Sequence, residues 1–110
     1  MEIDKLKHEY LPMSETAYYM LLSLGEVRHG YGIMQHVEEL TNHRIRLGAG
    51  TVYGTLSRME KDGLIRAVAE VERRKLYQIT AAGVGLLKAE AARIRELYEN
   101  GKRVRGDIYD

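Results

Sequence analysis

The chain has 110 residues, enough for a single domain with one core and little space for a separate ligand-binding unit. At 45% hydrophobic and 30% charged it reads as globular rather than disordered, and the absence of Cys excludes disulfides, thiolate metal centres and a thiol nucleophile. The net charge of +1 conceals a polarity: residues 1–42 hold three basic and seven acidic side chains, and residues 43–66 five basic and two acidic, so the middle suits a polyanion or is an ordinary solvated face.

The opening segment, MEIDKLKHEYLPMSE, carries acids and no apolar stretch, unlike a secretory signal. The longest apolar-leaning uncharged run, 16–25, is far short of the roughly 20 residues of a membrane span. A soluble, cytoplasmic protein is expected. Ser14 has the side chain of a helix N-cap, and Ala17, Met20, Leu21 and Leu24 recur at the spacing of one buried helix face up to Gly25. A second helix is expected from about Tyr31, with Ile33, Val37 and Leu40 on its apolar side, ending in 41–43. Residues 48–51 open a third, with Val52, Leu56 and Met59 inward and Gly63 free to take a left-handed stop.

The period then changes. Residues 64–70 and 75–80 read as strands, joined by a charged tip at 70–74 whose turn type is left unassigned because it holds no Gly. Thr80 can cap a last helix, in which Val84, Leu87, Ala91, Ile94 and Tyr98 fall at spacings of 3 and 4. Gly101 should weaken this helix, and 103–110 should fray. The fold class is therefore mainly α with a small β-hairpin: a winged helix-turn-helix of order α-α-α-β-β-α. Residues 11–80 would form the DNA-binding domain and 81–105 a C-terminal dimerisation helix. That seam exceeds what one small core needs, so it is expected to meet a second copy of the chain, together with Tyr18 or Leu22 of the first helix.

At 100° per residue, the outer side of the third helix holds Gly50, Gly54, Ser57, Arg58 and Lys61. Two glycines in a helix lower its stability, a cost tolerated where a backbone must come close to another body. Ser57, Arg58, Lys61 and the N-terminal Thr51 are expected to face a major groove, and Arg73, Arg74 and Lys75 to grip phosphates. The plainer alternatives are helix packing for Gly54 and an edge strand guarded by charge for the cationic triplet.

Other chemistries find little support. His29, His36 and His43 are seven apart, roughly 10 Å along a helix, too far to share an ion, so capping or surface roles are expected and no metal or other cofactor is assigned. No GxSxG, P-loop or motif-placed carboxylate pair is present, so no catalytic residue is assigned and an enzyme is not expected. A protein–protein adaptor with an incidental basic face is the other reading; salt-dependent retardation of duplex DNA separates the two.

Four strings carry a resemblance: HGYGI at 29–33, GTVY at 50–53, LSRMEKDGLI at 56–65 and RRKLYQITAAG at 73–83. In this order and spacing, over about residues 11–100, the chain resembles the PadR family of bacterial transcription regulators. The resemblance implies a dimeric winged helix, usually a repressor, with double-stranded operator DNA as partner. It places Tyr31 near the DNA backbone and Tyr53 beside or partly under the reading face; the helix wheel puts Tyr53 on the flank, where core packing is the alternative. The single C-terminal helix is similar to the compact branch of the family, some of whose members bind flat aromatic drugs between subunits through an aromatic residue, typically Trp. This chain has no Trp, and Ile94 stands near that place. Any small-molecule effector is expected to sit between the two last helices, with weak or no binding of planar cationic dyes.

Overall fold

The computed structural model describes residues 3–109; residues 1 and 2 of the acidic opening segment, and Asp110 of the expected frayed end, lie outside them. Eight elements follow in order: α1 (Ile3–Tyr10), α2 (Glu15–Ser23), α3 (Gly30–Leu40), α4 (Ala49–Lys61), β1 (Ile65–Val71), β2 (Arg74–Ile79), α5 (Ala81–Val104) and α6 (Gly106–Tyr109). The expected α-α-α-β-β-α series is α2 to α5. The short helices at either end, α1 and α6, were not expected.

The caps follow from local chemistry. Ser14 is extended (ψ 153°) and accepts the Ala17 N–H at 3.1 Å, so α2 starts where a hydroxyl meets an orphan amide. His29 performs the same task for α3, its Nδ1 accepting the Gly32 N–H at 2.9 Å. Thr80 caps α5 through the Gly83 N–H. Gly63 stops α4 with φ +78°, in the left-handed region that glycine enters without strain.

The core forms where the inward faces of these helices meet. Met20, Leu21, Leu24, Ile33, Val37, Val52, Leu56, Met59 and Leu64 are buried, and α1 adds Leu6 and Tyr10 from the side of α5. Leu40 departs from the expected face: it is 48% exposed, because α3 ends there and the chain leaves through Asn42 and His43, both at positive φ.

β1 and β2 form one antiparallel ribbon in which Glu70 lies opposite Lys75 and Val71 opposite Arg74. An extra residue, Val68, interrupts the register between Ala67 and Ala69. The tip is a two-residue turn with Glu72 at φ 50° and Arg73 at φ 67°, the twist that suits a hairpin. Neither is Gly or Asn, so each residue is held there at about 1 kcal/mol by the pairing on both sides. Arg28 adds a third backbone partner, exchanging hydrogen bonds with Tyr77 at 3.1 and 2.8 Å. The ribbon root is thereby fixed to the connection between α2 and α3.

α5 has two halves. Gly83, Leu86 and Glu90 face the core. Beyond Glu90 the helix outruns that core, leaving Ile94, Leu97, Tyr98 and Val104 exposed. A helix of this length spans roughly 36 Å. Its end carries more helix than expected. The helix continues through Gly101 to Val104, and α6 folds back so that the Tyr109 ring lies over Gly101 and meets Tyr98 edge-on at 5.2 Å. Gly101 leaves room for Tyr109, whose hydroxyl a Cβ there would strike.

Candidate nucleic-acid interface

The buried stripe of α4 (Val52, Leu56, Met59) fixes which side chains point outward. Thr51, Ser57, Arg58 and Lys61 are all exposed, as is the backbone of Gly48, Ala49 and Gly50 at the helix start. Gly48 has no side chain to cap the helix, and among the described residues no other side chain makes a cap hydrogen bond, so the first-turn amides of α4 present the positive end of the helix dipole. Open space surrounds Gly50 and Gly54: a Cβ built on either meets nothing within 4 Å. Packing within the chain therefore does not require these glycines.

The two flanks of α4 differ. On one, Tyr53 is half-exposed and its ring lies across Gly30, where a Cβ would come within 2.8 Å of the ring. This joins two of the sequence strings: the Gly of HGYGI makes room for the Tyr of GTVY. Tyr53 then lines a cleft of about 440 Å³ together with His29, Tyr77, Glu70, Arg73, Arg74 and Lys75. The wing cations and a residue of α4 thus share one concave surface. Glu70 opposes Lys75 across the ribbon and offsets part of that charge. Tyr31 is exposed at the start of α3, its ring centroid 6.4 Å from that of His29.

On the other flank, Thr51 and Arg58 line a hollow with Tyr10 of α1. The Arg58 guanidinium lies 4.6 Å from the centroid of the Tyr10 ring, and the Tyr10 hydroxyl donates to Asp62 at 2.6 Å. Burial, then the hydrogen bond to Asp62 and its negative charge, push the Tyr10 hydroxyl above the usual phenol range; the Arg58 charge opposes them. Neither His29 nor Tyr10 was singled out from sequence for this surface. The helical spacing of Ile3, Leu6 and Tyr10 was the available signal for α1.

The proposed dimer seam lies elsewhere. Leu22, Val84, Ala91, Ile94 and Tyr98 are exposed, whereas Leu87 is partly buried against the chain's own core. Tyr18 is half-buried in a hollow with Ile94, Glu90 and Arg93. Among the histidines, His29 caps α3, His36 bonds Ser23 at 2.7 Å, and His43 pairs with Glu38 at 2.8 Å. Among the described residues no group of three or more His, Cys, Asp or Glu is placed to hold a metal ion, and no helix is long and apolar enough to cross a membrane.

Three comparisons bear on this surface. The family model described as the transcriptional regulator PadR-like family matches residues 19–89. An uncharacterized 37.1 kDa protein in transposon TN4556 of Streptomyces fradiae is 41% identical over 63 residues, which cover 57% of this chain and 18% of that one. Transcriptional regulator Rv3488 of Mycobacterium tuberculosis is 36% identical over 72 residues, covering 63% of this chain and 64% of the relative. The chain thus spans less than two thirds of the length of either relative. The crystal structure of a PadR family transcription regulator from Clostridium difficile superposes with a TM-score of 0.69 at 25% identity, covering 88% of this chain and all of that one.

Proposed function

The chain belongs to the PadR-like family of transcriptional regulators, and from that premise we propose that it acts as a cytoplasmic homodimer that represses transcription by seating α4 of each protomer in a major groove of its operator. DNA binding and transcriptional regulation, not enzymatic chemistry, are what the family does. The finer reading rests on one observation: Tyr53 of α4 and the wing triplet Arg73, Arg74 and Lys75 line a single cleft, so the wing cations stand beside the exposed helix. Residues 11–80 would then be the DNA-binding unit and 81–105 the dimerisation element.

The division of labour follows from reach and chemistry. Ser57, Arg58 and Lys61 on the groove-facing helix can address base edges, with Thr51 at its start. The uncapped N-terminus of α4, Tyr31, Tyr53 and the wing cations suit phosphates, which position the protein without reading sequence. Gly50 and Gly54 let the α4 backbone lie close to the groove floor. Repression is the usual activity implied by the family resemblance. A small-molecule effector would sit between the paired α5 helices near Ile94.

The test uses a duplex selected from a random pool by the wild-type protein and a scrambled duplex of equal length. Ser57→Ala should weaken the selected duplex by about 1–3 kcal/mol more than the scrambled one. Equal losses on both would assign α4 to anchoring and overturn the reading role.

A further inference from the structure

We propose that Tyr10, on the N-terminal helix α1, is a positioning residue for DNA recognition: it holds the Arg58 guanidinium in a fixed pose with its hydrogen-bonding edge free for a base. The inference rests on the reading of α4 as the groove-facing helix. It names a residue outside the winged helix proper that would act through Arg58.

Tyr10 is 7% exposed, so its ring is fixed by the core while one face lies beneath an exposed arginine. A guanidinium above an aromatic face is held by the ring's negative face, and its in-plane N–H donors remain available. Among the described residues Arg58 forms no hydrogen bond or ion pair that would occupy those donors. Asp62, four residues on and therefore on the same side of the helix, is the nearby competitor. Its Oδ2 instead accepts the Tyr10 hydroxyl at 2.6 Å. One side chain thus supports the cation and engages the carboxylate that could neutralise it. An arginine held this way loses less rotamer freedom on binding than a free one, and its planar fork suits the O6 and N7 of guanine.

The test is a double-mutant cycle on the full chain, using the selected and scrambled duplexes, with melting temperature recorded for every variant and binding measured well below the lowest. Arg58→Ala should lower affinity for the selected duplex about tenfold, and Tyr10→Leu, which removes the ring, severalfold; affinity for the scrambled duplex should stay nearly constant. Adding Tyr10→Leu to Arg58→Ala should cause no further loss, an outcome that general destabilisation does not produce. Tyr10→Phe, which keeps the ring, should restore most of the affinity that Tyr10→Leu removes. Additive losses in the double variant, a Phe variant as weak as Leu, or a folded Leu variant of wild-type affinity would overturn the inference. Arg58→Ala without effect on the selected duplex would instead contradict the placing of Arg58 at the groove.

Discussion

The variant carrying Ala91→Asp and Ile94→Asp is expected to sediment as a monomer of about 12.6 kDa while keeping its helical content. Both residues are exposed in the single chain, so neither charge enters its core. In a dimer closed along this seam, two-fold symmetry would bury four carboxylates. An uncompensated buried charge costs several kcal/mol, so the sum reaches on the order of 10 kcal/mol, comparable to the whole free energy of a nanomolar dimer. The pair avoids Leu87, whose partial burial in the chain's own core would confuse dissociation with unfolding. Sedimentation shows the outcome directly. A folded dimer would place the interface elsewhere.

The largest effect within one protomer is expected at Glu90. Its side chain is 1% exposed, accepts the Met13 N–H at 2.8 Å, and pairs with Arg93 through Nε and Nη2. It therefore ties the turn between α1 and α2 to α5, the helix of the proposed seam. Glu90→Ala leaves a buried amide and a guanidinium without their acceptor. Breaking a buried pair costs about 3–5 kcal/mol, and the partial exposure of Arg93 puts the expected loss at the lower end, about 3 kcal/mol. Glu90→Gln keeps an acceptor for Met13 and should lose less.

The pH dependence separates the ionic part. The Arg93 hydrogen bond, aided by the Met13 amide and the Arg93 charge, lowers the Glu90 carboxyl below its ordinary value despite burial, which acts the other way. A depressed folded-state value stabilises the protein above the unfolded carboxylate range, and this contribution is lost as pH falls through the folded value. Denaturant unfolding should therefore show the gap between wild type and Glu90→Gln narrowing on acidification. A gap constant from neutral pH to below the carboxylate range would mean that the charge contributes nothing.

Where local chemistry determines structure, the chain was readable in advance. Ser14 and Thr80 could be recognised as caps, Gly63 as a stop, and Val52, Leu56 and Met59 as an inward stripe, because each depends on neighbours within one helical turn. The wing was readable as an element but not in its turn. Glu72 and Arg73 have no preference for positive φ, and pairing of Val71 with Arg74 holds them there. α1 was missed because half of its eight residues are charged and only Leu6 and Tyr10 are buried.

The surface was legible as a set of residue types, not as an arrangement. Tyr53 could be placed on the flank of its helix by angle, but its position across Gly30 depends on how α3 meets α4. The contacts of Tyr10 with Arg58 and Asp62 join residues some fifty positions apart and leave no local periodicity. The contact at Gly101 was hidden for the same reason: its helix propensity is poor, but the space it leaves is filled by Tyr109 from a helix that follows it.

In the proposed complex the wing anchors the protein on phosphates while α4 reads the bases. The most direct test is a salt titration of duplex binding by wild type and Arg74→Ala, on the selected and the scrambled duplex. Removing one phosphate-binding cation should reduce the slope of log K against log salt by about 0.9, so a dimer without both Arg74 side chains should show a slope shallower by about 1.8 on the two duplexes alike. An unchanged slope, or a weakening confined to the selected duplex, would contradict this division between wing and helix.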